Sequence, residues 1–204
     1  MKRRQLSTRK TPLLEAWRKV AGEFGGEVEL DRREKPSRLY VPYHEWKIVL
    51  DVYTQSNGQY SSTYTRVRAL FLRASPFSLR VTRRNPFHAL GALVGYRPIS
   101  IGYGQLDRTL FVRGDRADLA RSMLRGTSLG QALLRDPVRL VVTRPGKRIR
   151  RLAGETVGEV QLLKGGKVRE VAKLSGMIQI CTQALDELER LDVATRARVE
   201  GVAI

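Results

Sequence analysis

The residues of this chain that could do chemistry are mainly arginines at alternate positions of predicted strands. Arg66 and Arg68 alternate with Val67 and Ala69, and Arg80 stands among apolar residues in the same way further along. Because successive side chains of a strand point to opposite sides, this spacing places arginines on one sheet face and apolar residues on the other. Guanidinium groups pair well with phosphate oxygens. The pattern therefore predicts a sheet face that binds polyanions.

Two further features extend this predicted basic face. Tyr64 belongs to the same strand pattern, where its ring could stack on a base. A second group of basic residues, 144–151, surrounds a predicted turn and could clamp phosphate. In the competing interpretation, the arginines only cover a solvated sheet face and pair with Asp51 or Glu45. The predicted nucleic-acid-binding residues are Arg66, Arg68, Arg80, Arg84, Tyr64, Lys147, Arg148 and Arg150.

Catalytic and metal-binding motifs are not found in the sequence. The histidines, His44 and His88, have no metal-ligand spacing to each other, to a cysteine or to paired acids. There is no nucleophile elbow, Walker loop or dinucleotide fingerprint. The sequence therefore predicts no catalytic residue, no metal and no cofactor. It favours a non-enzymatic protein without excluding an enzyme.

The acidic residue with the strongest claim to a special role is Asp107, which follows a glycine-rich bend. At such a bend an aspartate can bond nearby backbone amides. A salt bridge to Arg108 or Arg113 is the alternative. Asp115 precedes a helical pattern and is predicted to cap that helix.

The charge balance of the chain is strongly basic. The 204 residues include 38 Lys and Arg but only 20 Asp and Glu, which gives a net charge of +18. This excess makes nucleic acid, an anionic membrane surface or an acidic protein possible partners. No apolar run reaches the roughly 18 residues that a membrane span needs. With a single cysteine, Cys181, and no signal-peptide pattern, the expected location is the cytoplasm.

Two amphipathic helices are predicted, one near each end. Residues 1–10 read as a flexible basic arm, after which Thr11 and Pro12 begin a helix that ends at Gly25. Between about 167 and 191, apolar residues recur every three or four positions. This long helix places Cys181 on its buried stripe.

The predicted strands lie between these helices. A hairpin turns at Asn57 and Gly58, and a third strand at 77–84 continues it as a meander. Further strands are predicted on both sides of the glycine bend at 102–104, at 138–143 and at 156–163. Short helices are predicted after Asp115 and from Ser128, which would cap the second of them.

Part of the chain resembles uncharacterised bacterial α+β domain families. The resemblance is carried by the glycine bend at 102–104, the Leu106 and Asp107 pair, and the strand at 111–113. The strand at 65–69 followed by 77–79 is similar too, so the resemblance covers about residues 46–140. It implies a bacterial domain of unknown function and supplies no catalytic residue.

The sequence thus predicts an α+β fold. A largely antiparallel sheet of about six to eight strands would be packed by the N-terminal and the long C-terminal helix. Residues 11–192 would form one domain, followed by a weakly ordered tail at 193–204. The predicted function is non-enzymatic binding of a polyanion, nucleic acid first. The alternatives are a lipid or small-ligand module closed by the long helix, and an assembly component that docks on an acidic partner or an anionic membrane.

Overall fold

The fold is that of a computed structural model, which describes residues 11–56, 58–85, 98–154 and 156–199. One antiparallel sheet of nine strands runs through this part of the chain. The N-terminal helix and the long C-terminal helix pack together against the apolar residues of the sheet. The predicted α+β fold is confirmed, with nine strands where six to eight were expected.

The elements have the following bounds. The strands are β1 (Glu27–Leu30), β2 (Pro36–Tyr43), β3 (Trp46–Ser56), β4 (Ser61–Arg73), β5 (Leu79–Arg83), β6 (Leu110–Gly114), β7 (Arg139–Thr143), β8 (Val157–Gly165) and β9 (Ala194–Thr195). The helices of the described residues are α1 (Pro12–Phe24), α2 (Gly104–Thr109), α3 (Ala117–Leu124), α4 (Ser128–Arg135), α5 (Lys147–Ala153) and α6 (Val171–Arg190).

Helix α1 has the ends that its sequence predicts. The Thr11 hydroxyl accepts a hydrogen bond from the Leu14 amide at 3.3 Å, and Pro12 occupies the first turn. Gly25 adopts a left-handed conformation (φ 64°), which glycine reaches without a steric penalty, and this ends the helix. The apolar stripe between these ends, including the fully buried Trp17, packs into the core.

The order of the strands differs from a simple meander. Neighbouring strands follow the order β1-β2-β3-β4-β8-β7-β5-β6, and every pair is antiparallel. The prediction that β5 pairs with β4 is wrong, because β8 occupies that edge of β4 from Tyr64 to Leu72. β8 is buried on both faces along most of its length, which suits a central strand. β5 exposes Arg80 and Arg83 and lies one strand from the edge.

One face of the sheet is apolar and forms the core with the helices. Seven cross-strand partners, one from each of seven neighbouring strands, form a row of buried side chains across this face. The apolar stripe of α6 belongs to the same core. Cys181 is buried in that stripe, as predicted, and burial raises the pKa of its thiol. The row consists of Leu39, Leu50, Val67, Leu162, Leu140, Val81 and Val112. The opposite side of the sheet is called the open face below.

Two local predictions are wrong, one beside the glycine bend and one at the start of α4. Residues 99–101 are not a strand, although the Ile99 amide bonds the carbonyl of Val112 at the sheet edge. The bend leads directly into α2. Thr127 rather than Ser128 caps α4, with its hydroxyl accepting from the Gly130 amide at 3.1 Å. Within the predicted tail at 193–204, Ala194–Thr195 forms β9, which pairs with the end of β4.

Helix α6 is shorter than the sequence predicts. It begins at Val171, not near residue 167, and its 20 residues span about 30 Å at 1.5 Å per residue. The amide of Val168 instead donates to the Thr65 hydroxyl, which holds the segment before the helix against β4. None of the described helices is long and apolar enough to cross a membrane.

Candidate polyanion-binding face

The open face presents arginines from five strands. In one register row, Arg68 of β4 is followed by Gln161, Val141, Arg80 and Arg113 on successive strands. Arg66 and Arg139 stand one row away on the same face, together with Arg38 of β2. The predicted placement of Arg66, Arg68 and Arg80 on one sheet face is therefore correct. The face has two parts: in one the arginines lie beside carboxylates, and in the other the strands carry no carboxylate on this face.

The first part, the inner ionic cluster, consists of Asp51, Arg66, Arg68 and Glu159. Arg66 donates two hydrogen bonds to the Asp51 carboxylate, from Nε at 2.8 Å and from Nη2 at 2.6 Å. Arg68 approaches the same carboxylate at 3.5 Å and Glu159 at 4.0 Å. The alternative interpretation, in which the strand arginines pair with Asp51, thus holds for Arg66 and, at the longer distance, for Arg68. Glu45, the other predicted partner, lies outside the strands in the turn between β2 and β3.

Burial makes this cluster unusual for a sheet surface. The side chains of Arg68, Asp51 and Glu159 are only 12, 10 and 9% exposed. Burial, followed by the neighbouring charge of Arg66, lowers the pKa of Arg68. The Arg68 Nε is buried and has no hydrogen-bond partner among the described residues. Arg68 is therefore a guanidinium whose bonding capacity is only partly used.

The pKa of Glu159 reports how strongly burial removes the inner ionic cluster from water. Burial raises the pKa of its carboxyl, and the nearby Arg68 and Arg66 only partly oppose this. Because the pKa of Glu159 is higher in the folded than in the unfolded protein, its ionised form destabilises the folded state at neutral pH. Protonation of Glu159 at low pH removes this destabilisation. We expect Glu159→Gln, which mimics the protonated form, to be as stable as the wild type or more stable at pH 7. In denaturant titrations at several pH values, this advantage should shrink as the pH falls towards 4. An advantage that grows with acid would contradict the assignment.

The second part, the outer basic cluster, consists of Arg80, Arg113 and Arg139 on β5, β6 and β7. Arg80 and Arg113 are direct cross-strand partners, and Arg139 is diagonal to Arg80. Burial, then the charges of Arg139 and Arg113, lowers the pKa of Arg80. Among the described residues, neither Arg80 nor Arg139 has an ion-pair partner. The open-face positions of these three strands carry no acid.

Aromatic side chains extend the open face beyond the inner ionic cluster. Tyr64 is half-buried and stacks against Tyr53, its cross-strand partner, with ring centroids 5.7 Å apart and planes inclined by 26°. The Arg66 guanidinium lies over the Tyr53 ring, 4.6 Å from its centroid. The predicted interleaving of arginine and tyrosine on one face is therefore present.

The second predicted basic group is a helix rather than a turn. Residues 147–153 form α5, because Arg, Lys, Leu and Ala are good helix formers that follow the turn at Pro145 and Gly146. Ile149 packs on a small apolar cluster of Val49, Leu70 and Val157, so α5 covers one end of the open face. Lys147 and Arg148 are exposed on it, and Arg150 is half-buried. Two of the three predicted basic segments therefore belong to the same side of the sheet.

One predicted basic residue lies outside the strands and α5. Arg84 is exposed but follows the last residue of β5, and its backbone amide bonds the carbonyl of Thr109 at 2.8 Å. The predicted arm at 1–10 lies outside the described residues, as does His88. His44 is exposed in the turn between β2 and β3 and adopts a left-handed conformation (φ 51°).

Asp107 has a structural role rather than a chemical one. Its carboxylate accepts hydrogen bonds from the amides of Ile101 (2.7 Å) and Gly102 (3.0 Å) and from the Ser100 hydroxyl (3.1 Å). Although partial burial raises the pKa of Asp107, these bonds outweigh it and hold the pKa below its usual range. The proposed salt bridges to Arg108 and Arg113 are not formed among the described residues, whereas bonding to backbone amides is.

Asp115 also differs from its prediction. It does not cap α3, which begins at Ala117 with Arg116 at the cap position. The Asp115 carboxylate instead accepts the Ser78 amide at 2.9 Å and so joins the ends of β5 and β6. Both aspartates are therefore explained by loop geometry.

We expect Asp107→Ala to lower the free energy of unfolding by about 1–2 kcal/mol, because three donors lose a charged acceptor. The wild-type contribution is present above the usual aspartate pKa of about 3.9 and is lost as the pH falls through the lower folded-state pKa. Denaturant titrations at pH 7 and pH 3 measure both effects. Asp118→Ala, at an exposed ion pair with Arg116, is the control and should change stability much less than Asp107→Ala does. Equal effects of the two substitutions would contradict the role of Asp107.

Comparisons with known proteins do not place the chain in a family. No protein-family model, no curated protein and no solved structure matches it. The resemblance to bacterial α+β domains therefore stays a prediction. In the described part of the chain, no three His, Cys, Asp or Glu side chains converge as metal ligands.

Sequence reasoning missed two members of the outer basic cluster, Arg113 and Arg139. Both stand in predicted strands and alternate with buried residues, as Arg66 and Arg68 do. The signal was therefore present. The sequence pattern did not show that β7, β5 and β6 are neighbours, because local alternation gives the face of a residue but not the order of the strands.

Proposed function

We propose that this chain is a non-enzymatic module that binds a polyanion, nucleic acid first, through the open face of its sheet. The observation that carries the proposal is the outer basic cluster. Arg80, Arg113 and Arg139 converge from three adjacent strands, and no acid shares their face on those strands. Such an arrangement matches the spaced charges of a phosphate backbone.

The energetics of the outer basic cluster favour a bound anion. Like charges directly opposite each other on neighbouring strands destabilise a sheet by some tenths of a kcal/mol. Arg80 is repelled by Arg139 and, to a smaller extent, by its direct cross-strand partner Arg113. A phosphate chain placed over Arg80 and Arg139 would replace this repulsion with charge-assisted hydrogen bonds.

The inner ionic cluster has a different part in the proposal. Arg66 is already satisfied by Asp51, so it adds less to phosphate binding than its sequence pattern predicts. Arg68 contacts two carboxylates only at 3.5 and 4.0 Å. The proposal therefore places the main phosphate contacts on Arg80 and Arg139, beside Arg113, with α5 contributing Lys147 and Arg148 from the same side.

The alternatives have weaker support. The space between α6 and the sheet is filled by fully buried side chains such as Met177, Ile178 and Leu185, which offers no observation in favour of a lipid or small-ligand module. Docking on an anionic membrane or an acidic partner would use the same positive charge. Co-sedimentation with anionic vesicles, for the full chain and a variant lacking residues 1–10, separates that alternative.

Fluorescence anisotropy with labelled 20-nucleotide single strands and 20-base-pair duplexes tests the proposal. We expect binding at about 50 mM salt, with the logarithm of the affinity falling linearly with the logarithm of the salt concentration. If neither probe binds at that salt concentration, where phosphate contacts are strongest, the proposed function is wrong.

A further inference from the structure

The open face contains an unfilled space beside Tyr64. The cross-strand neighbours of Tyr64 are Tyr53 on β3 and Gly165 on β8. Its ring stacks on Tyr53 and so leans away from β8. A Cβ atom added to Gly165 would meet nothing within 4 Å. Aromatic residues usually cover a strand glycine by laying their ring over it. If the Tyr64 ring lay over Gly165, it would be within 4 Å of the added Cβ atom, and it is not. Tyr64 therefore borders an open space above Gly165, called the gap below, into which neither Tyr64 nor any other described side chain beyond the chain neighbours of Gly165 reaches within 4 Å of the added atom.

Hydrogen bonds fix the floor of this gap. The Gly166 amide donates to the Thr63 carbonyl at 2.8 Å. The buried Thr65 hydroxyl donates to the Gly166 carbonyl at 2.9 Å and accepts the Val168 amide at 2.8 Å. The backbone that forms the floor is thus tied to β4, the strand that carries Tyr64, on both sides of the tyrosine.

The surroundings of the gap distinguish it from the arginine clusters. Residues 52–65 contain no charged side chain, in a chain of which 28% is charged. Arg66 follows on the same strand, and Leu163 stands between Arg66 and Arg139 in the neighbouring row. An uncharged aromatic position bordered by arginines suits a nucleotide whose base is held by the ring and whose phosphates meet the arginines.

We propose that the gap between Tyr64 and Gly165 is a stacking site for an unpaired base, so that the chain selects single-stranded nucleic acid. This inference rests on the proposed function. The guanidinium of Arg66 occupies a face of Tyr53, and Tyr53 in turn covers a face of Tyr64. The other face of Tyr64 borders the open gap. A base in a duplex is already stacked between its neighbours and exposes only its edges, whereas an unpaired base can slide over Gly165 and stack on Tyr64.

Three labelled probes of equal length separate this inference from the proposed function: a thymidine strand, an abasic strand with the same phosphates, and a duplex. We expect the thymidine strand to bind about tenfold more tightly than the abasic strand, since stacking is the added contribution. Tyr64→Ala should reduce thymidine binding to the abasic level and leave abasic binding unchanged.

Gly165→Thr gives a second, independent variant. Its backbone does not need glycine, and a β-branched residue suits a strand, so the protein should fold with the gap filled. It should lose the preference for the thymidine strand as Tyr64→Ala does. Tyr103→Ala, at the start of α2 and outside the sheet, is the matched control and should bind all three probes as the wild type does.

The outcomes are distinguishable. If no probe binds at about 50 mM salt, the proposed function fails. If all three probes bind but the thymidine and abasic strands bind equally, or Tyr64→Ala weakens both by the same factor, the stacking site is wrong and the phosphate-binding face stands. Duplex binding as tight as thymidine binding, unaffected by Gly165→Thr, would also overturn it.

Discussion

Replacing Arg80 and Arg139 together by glutamine weakens single-strand binding by about an order of magnitude at 0.1 M salt, if the outer basic cluster holds phosphates. Each lost phosphate contact should reduce the slope of log affinity against log salt by about 0.7 for a single strand. The double variant should therefore reduce it by about 1.4. Glutamine keeps most of the side-chain length, so the sheet face stays covered.

The same variant should not lose stability, which separates a binding role from a folding defect. Arg80 repels Arg139 and Arg113, and removing like charges from neighbouring strands should leave the free energy of unfolding unchanged or raise it by up to about 1 kcal/mol. Arg18→Gln with Lys19→Gln, on the exposed side of α1, removes the same charge and is the matched control. Equal loss of binding in both double variants would show that net charge, and not this cluster, determines affinity.

Asp51→Asn should cause the largest loss of stability among these substitutions, about 3 kcal/mol or more. The carboxylate is almost fully buried and accepts two hydrogen bonds from Arg66, and its removal leaves Arg66 and Arg68 as neighbouring buried cations. Denaturant titration at pH 7 measures the effect. Glu159→Gln, in the same cluster but expected to be neutral or stabilising, is the matched comparison. A loss below about 1 kcal/mol for Asp51→Asn would mean that solvent screens the cluster, as at an exposed ion pair.

Much of the fold follows from local sequence patterns. The apolar stripes of α1 and α6, the caps of α1 and the hairpin of β3 and β4 depend on residues close in the chain, and each was predictable from spacing alone. The insertion of β8 and β7 between β4 and β5 was not. Pairing between strands that lie far apart in the chain, such as Tyr64 with Gly165 and Val81 with Leu140, depends on which faces are buried together, and a local window does not contain that information.

The candidate site shows the same division. The alternation around Arg66, Arg68 and Arg80 predicted their common face, because side-chain direction follows from strand geometry. It did not decide between phosphate binding and pairing with Asp51, because the pairing of Arg66 with Asp51 depends on the register of β3 against β4. The helical form of α5 was obscured by the turn residues that precede it, although Ile149 gave it an apolar contact.

The most direct test of the polyanion-binding face is an NMR titration of the full chain with a single-stranded oligonucleotide at about 50 mM salt, following the arginine Nε–Hε signals. The account predicts that the signals of Arg80 and Arg139 shift first. The signals of Arg18, Arg116 and Arg190, which belong to α1, the start of α3 and the end of α6, should stay unchanged. No shift at any arginine, or the largest shifts at those three residues, would contradict it.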